Sequence, residues 1–262
     1  MKENTNGGVR RLLRYVITTA VWLGIWQLAH LAVGNPLLLP SPAQTLAALC
    51  DTARGGGLWR AVGSSLARIM VGFFIGMAAG CILAAATACS RLLDRFLEPL
   101  QVVTKTTPVA SFIILAVVWM KTGSLPAFTV SLIVAPIFWS NVAAGIGATD
   151  RGLLEMARMY RFSRRNIVTK VYIPSILPYF YSAVRVGIGM AWKSGIAAEV
   201  ICNPKGSIGS GLYESKIYYE TEKMFAWTAV VIILSVLLEK TVVGILDRTV
   251  GRRLELDKTE RN

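Results

Sequence analysis

The sequence predicts an all-α polytopic membrane protein with about six transmembrane helices, and three observations carry that expectation. Of its 262 residues, 54% are hydrophobic and 16% are charged, whereas an ordinary soluble chain is about a quarter charged. The apolar residues gather in runs long enough to cross a hydrocarbon core, which takes roughly 20 helical residues. The excess of 28 Lys and Arg over 15 Asp and Glu, a net charge of +13, falls between those runs. In a soluble protein such an excess would suggest nucleic acid; spread in this way it describes membrane topology, and no nucleic-acid partner is expected.

The first run, Tyr15 to Gly34, follows Arg10, Arg11 and Arg14 as a signal peptide would. It is too long for a signal's apolar core and lacks a clear small-x-small cleavage site, so it reads as a retained helix. Ile69 to Ser90 is free of charge and gives the second span. Thr106 to Met120, the third, is shorter and opens with Pro108. Thr122 to Thr149 is again uncharged, with Pro126 near its start and Pro136 in its interior, where loss of a backbone donor should bend the helix. Ile176 to Cys202 is apolar apart from Arg185, Lys193 and Glu199, and Met224 to Leu246 apart from Glu239 and Lys240. With the N-terminus inside, the cytoplasmic segments hold 19 Lys and Arg and the outer ones six, so both termini are expected in the cytoplasm.

Small residues recur every fourth position in the second span, at Gly72, Gly76, Gly80, Ala84 and Ala88, and again in the fifth at Ala183, Gly187, Ala191 and Gly195. Each series forms a stripe on one helix face that lets a neighbour approach closely, since packing drives helix association in lipid. These glycines are therefore read as helix-packing residues rather than ligand contacts.

The segment from Asp150 to Pro174 is polar, strongly basic and still periodic. Leu153, Met156, Ala157 and Tyr160 keep helical spacing, Ser163 is placed to cap a second helix, and Ile167, Val168 and Val171 give that helix an apolar stripe. Two short amphipathic helices joined by a tight turn would make a rigid knob; lying on anionic lipid is the alternative.

A Lys or Arg at a helix centre costs roughly 2.5 to 3.5 kcal/mol on insertion scales, which marks intramembrane charge for function. Lys193 is the leading candidate: it lies near the middle of the fifth span, on nearly the same face as Arg185 and Gly189. Attraction of an anionic solute and an ion pair with Glu199 or Glu239 stand as equal alternatives for it. Arg185 lies close enough to a helix end to reach headgroups, and Lys105 reads as interfacial. Glu199, near the outer end, is open between structural and gating roles. Of the Trp residues, Trp119 and Trp192 are candidates to flank a pathway, with bundle or belt packing as the alternative.

Cys50, Cys81, Cys89 and Cys202 stand too far apart for a CxxC pair, and His30 is the only histidine. No disulfide framework and no metal site are expected. Gly206 to Gly211 is glycine- and serine-rich but lacks the Lys-Ser/Thr that a phosphate loop needs, so it reads as a flexible turn.

The 150–174 segment resembles the cytoplasmic loop of bacterial ABC importer permeases, which runs E-A-A, three residues, G, nine residues, I-x-L-P. Glu155-Met156-Ala157, Arg161 and Val171-Tyr172-Ile173-Pro174 fall at that spacing. Leu39-Pro40-Ser41-Pro42, Leu58-Trp59, Ser65-Leu66-Ala67-Arg68, Gly72-Phe73, Gly76 and Gly80 are similar to the branch that imports nitrate, sulfonates, taurine and related solutes. So are Ala191-Trp192, Ala197-Ala198-Glu199, Gly206 and Gly209. The resemblance runs from about Leu39 to the end of the sixth span.

The resemblance implies a type I ABC importer permease fold, with residues 1–262 a single permease domain in the bacterial cytoplasmic (inner) membrane and 150–174 its coupling-helix loop. It implies three protein partners: an ABC ATPase subunit, an extracytoplasmic solute-binding protein and a second permease copy. On this reading Glu155, Ala157, Arg161, Ile173 and Pro174 form the ATPase-coupling surface, and Lys193, Trp192, Glu199 and Trp119 belong to the substrate pathway. The outer residues Tyr213, Glu214, Lys216, Tyr218, Tyr219, Glu220 and Glu222 become candidates to meet the binding protein. The chain has no GxxxxGK[ST] run, so it binds no cofactor itself, and ATP and Mg belong to the partner ATPase. An ATP-independent channel or secondary carrier is the alternative. The family's loop glycine stands here as Arg161. A left-handed turn would cost a non-Gly residue on the order of 1 kcal/mol, which leaves either ordinary backbone angles or an altered partner surface.

Overall fold

The computed structural model describes residues 5–259, and every regular element among them is helical. Lys2 and Arg261, counted above in the cytoplasmic charge, lie outside the described residues. In chain order the elements are α1 (Thr5–Val33), α2 (Pro42–Arg54), α3 (Gly57–Cys89), α4 (Arg91–Thr106), α5 (Val109–Trp119) and α6 (Leu125–Gly147). Then come α7 (Arg151–Met159), α8 (Arg164–Ile167), a π turn (Val168–Tyr172), α9 (Ile173–Cys202), α10 (Ile208–Ile217) and α11 (Thr221–Thr259).

Among the described residues, four helices are long and apolar enough to cross a membrane, within α1, α3, α6 and α11. The expected third span, Thr106 to Met120, holds only α5 as a whole helix, which forms a bent pair with α4; their axes diverge by 99°, and the pair counts as a fifth crossing if taken as one broken span. Its cause is local. Thr107 precedes Pro108 and is held extended (φ −73°, ψ 131°), which stops α4, and α5 has only 11 residues, too few to span alone. At 30 residues α9 is long enough, but its three charges interrupt the apolar run. α6 continues through the buried Pro136.

The contacts among residues divide the chain into two units. The first holds residues 5–60 and 211–230. Ser41 caps α2 through a reciprocal pair with Gln44, its backbone N–H donating to Gln44 Oε1 at 2.8 Å. The chain before that cap is tied to α1, since Trp26 Nε1 donates to Pro40 O at 3.0 Å and His30 Nδ1 lies 2.7 Å from Leu39 O. The lone histidine thus serves local packing.

The second unit holds residues 61–210 and 231–259. Its centre is α6, which packs on α9 and also touches α4 and α5. The glycines of α3 lie directly against the α6 backbone: a Cβ on Gly76 would stand 2.7 Å from Ser131 O and 2.8 Å from Val134 Cβ. One on Gly80 would stand 2.7 Å from Phe138 Cβ. Gly195 of α9 sits equally close to Ile69, and a Cβ on Gly187 would stand 3.3 Å from the Phe138 ring and 3.4 Å from the Phe73 ring. Phe73, Phe138 and Phe180 stack edge to face through the interior.

Candidate functional site

A hollow of about 430 Å³ opens where α4 breaks from α5, and α6 and α9 complete its wall. Thr104 and Thr107 come from the break, Ser140 and Asn141 from α6, and Val186 and Met190 from α9. The polar groups are ordered: Gln101 Nε2 donates to Ser140 Oγ at 3.1 Å, and Asn141 Nδ2 donates to Ile137 O at 2.8 Å. That bond leaves the Asn141 amide oxygen as an acceptor. Among the described residues, no charged side chain lines the hollow. Ser140 and Asn141 were missed from the sequence, where two adjacent polar residues inside an apolar run were the available signal.

Val186, Met190, Lys193 and Ala197 form one exposed face of α9, spaced four, three and four apart, which is a single helix side. Lys193 therefore continues the face of the hollow one turn past Met190. Among the described residues it makes no ion pair or hydrogen bond with Glu199 or Glu239. Arg185, on the same helix, pairs with Asp247 of α11. The side chain of Lys105 lies outside the described residues.

The other three pathway candidates are not brought to the hollow. Trp192 is buried, and its indole N–H donates to Val231 O at 3.1 Å, so its polar edge is occupied in packing against α11. Trp119 ends α5 with 80% of its surface exposed and does not line the cavity. Glu199 is fully buried (0% exposed). Its Oε2 accepts from Ser65 Oγ at 2.6 Å and from Gly209 N at 3.2 Å, and its Oε1 lies 3.5 Å from Arg68 Nη1.

The glycine-rich run also differs from expectation. Ser207 to Ser210 are buried, and α10 begins at Ile208. The Ser207 and Ser210 hydroxyls each accept the other's backbone N–H, at 2.9 and 3.0 Å. The segment is built into the fold rather than a free turn, and Gly209 is required because a Cβ there would collide with Glu199.

In the 150–174 loop, Asp150 caps α7 by accepting Gly152 N at 2.7 Å, and Ser163 caps α8 by accepting Asn166 N at 3.3 Å. The turn between them is left-handed at Arg161 (φ 53°). Arg161 N donates to Arg158 O at 3.0 Å and Phe162 N to Ala157 O at 2.9 Å, the paired bonds that close a helix on a left-handed residue. Of the two alternatives left open by the missing glycine, ordinary backbone angles are thereby excluded. Lys170 Nζ lies 5.8 Å from the Phe162 ring centre, which braces the turn from the second helix. The π turn ends two residues before Pro174, whose ring cannot sit in a regular helix against the carbonyl four residues back. Glu155, Arg161, Ile173 and Pro174 are exposed, whereas Ala157 is 3% exposed. Leu153, Met156, Met159 and Tyr160 leave an apolar face uncovered.

No group of three or more His, Cys, Asp or Glu able to hold a metal ion occurs among the described residues.

Residues 72–256 match the family described as binding-protein-dependent transport system inner membrane component. The chain is 28% identical to the taurine transport system permease protein TauC of Escherichia coli (strain K12), over 88% of this chain and 86% of that one. It is 25% identical to the nitrate import permease protein NrtB of Synechococcus elongatus, over 80% of this chain and 78% of that one. Among solved structures, the inward-facing MetNI methionine ABC transporter aligns with a TM-score of 0.63 at 18% identity, covering 73% of this chain and 95% of that chain. An amino acid ABC transporter crystallised with histidines aligns with a TM-score of 0.62 at 16% identity, over 76% of this chain and 96% of that chain. These two likenesses are of fold.

Proposed function

Because the chain belongs to the family of binding-protein-dependent transport system inner membrane components, we propose that this permease subunit forms the solute pathway of an ATP-driven importer. Two copies stand on two cytoplasmic ATPase subunits, which hold ATP and Mg, and an extracytoplasmic binding protein delivers the solute. Residues 1–262 act as one permease domain, with both termini in the cytoplasm, an orientation supported by the distribution of Lys and Arg.

The 150–174 loop is the coupling element. Its support is physical: a braced turn carries an exposed apolar helix face, the form in which an amphipathic helix docks into a groove. Glu155, Arg161, Ile173 and Pro174 are exposed on the same loop, and the carbonyl of the buried Ala157 accepts the Phe162 N–H that closes the helix end.

The solute is a small anion such as a sulfonate, nitrate or a taurine-like compound. The observation that carries this reading is Lys193, an exposed cation in the middle of α9 with no ion-pair partner among the described residues, on the face it shares with the hollow's Val186 and Met190. An intramembrane cation without a partner is costly unless something anionic visits it. Isolation of the tagged chain in mild detergent, followed by vanadate-sensitive ATP hydrolysis with a loaded binding protein, tests the assignment. A stoichiometric ATPase stimulated by one anionic solute is expected. Intact protein that transports with no ATPase would instead favour a channel or secondary carrier.

A further inference from the structure

The buried carboxylate of Glu199 takes no part in the hollow or the coupling loop, yet six ties converge on it and its neighbours. Ser65 uses its one hydroxyl twice, donating to Glu199 Oε2 at 2.6 Å and accepting Ile208 N at 2.9 Å. Arg68 is likewise divided, with Nη1 3.5 Å from Glu199 Oε1 and Nη2 3.5 Å from Lys205 O. Gly209 N donates to Glu199 directly at 3.2 Å, and Ser64 Oγ donates to Gly206 O. Three separate stretches of chain, 64–68 of α3, Glu199 of α9 and 205–209 before and within α10, thus share one network.

Two features suit this network to transmission rather than to packing alone. The 203–210 segment is tied beneath but presents Asn203, Lys205 and Gly206 to solvent, so a partner can press on it. A buried charge must also keep its partners, because losing one leaves the others unsatisfied in a medium of low dielectric. Such a network moves between discrete arrangements instead of yielding gradually. Glu199 shares α9 with Lys193, so a shift at one end of that helix reaches the face of the hollow.

We propose that Glu199 is the positioning residue of a latch that joins the 205–209 segment to α3 and α9, and through which docking of the solute-binding protein is transmitted to the bundle. This rests on the importer reading, which puts the segment outside the membrane.

The test compares ATP hydrolysis by the whole complex in proteoliposomes, with and without saturating loaded binding protein, in wild type, Glu199→Gln and Ser65→Ala. Both variants are expected to keep basal hydrolysis, while the stimulated rate falls by about tenfold, in the range of ordinary allosteric couplings. Ser65→Ala removes one shared hydroxyl without touching charge, so it carries the test if Glu199→Gln fails to assemble. Unchanged stimulation in both variants overturns the latch. So does a proportional fall of basal and stimulated rates, which a mere strut would give. A wild-type chain with no ATPase partner would be a failure of the importer reading, distinguishable because it appears before any substitution.

Discussion

The backbone N–H of Phe162 donates to the carbonyl of Ala157 at 2.9 Å, closing the end of α7 over a left-handed Arg161. An arginine at that position carries backbone strain that glycine would not. Arg161→Gly is therefore expected to stabilise the chain by about 1 kcal/mol. Thermal unfolding in detergent reads it, and a lower midpoint would contradict the assigned turn.

Close approach of α3 to α6 makes Gly76 intolerant of any side chain. Gly76→Ala should cost about 1 to 3 kcal/mol through overpacking, seen as a loss of monodisperse protein. Gly63→Ala, on the same helix with nothing within 4 Å of the added carbon, serves as the control. Equal yields of the two variants would show that the helices are not so close.

On the proposed function, removing the Lys193 cation should weaken solute handling and leave assembly alone. Lys193→Met is expected to raise the KM for uptake and to retain the same amount of co-isolated ATPase. Full uptake with unchanged affinity would remove Lys193 from the pathway.

Trp192 gives the opposite expectation although it is the next residue. Its indole N–H is bound to Val231 O, so Trp192→Phe should cost about 1 kcal/mol of stability with no change in KM. A KM shift at normal stability would return Trp192 to the pathway.

The helical, membrane-spanning character of the chain was legible because apolar run length and small-residue spacing are local properties. Pro108 was visible, but the direction taken by α5 after it depends on packing against α6 and α9, so α5 alone read as a span and α4 as a connecting segment. The partners of Glu199 were out of reach for the same reason: Ser65 lies 134 positions away, and nothing local couples the two. Arg161 was marked by loop spacing, but the sign of its φ needed the backbone. Lys193 was legible because charge inside an apolar run is conspicuous, whereas Ser140 and Asn141, uncharged, were not.

On the proposed function, the chain works through an ATPase docked on the 150–174 loop. Met156 tests it cleanly, because the side chain is half exposed and bonds nothing, unlike the buried Ala157, whose replacement would disturb the loop itself. The measurement is ATP-dependent uptake in proteoliposomes together with ATPase co-isolation, for wild type and Met156→Asp. The account predicts that the variant inserts normally, loses its ATPase and loses uptake. A Met156→Asp chain that keeps a stoichiometric ATPase and transports at the wild-type rate would contradict it.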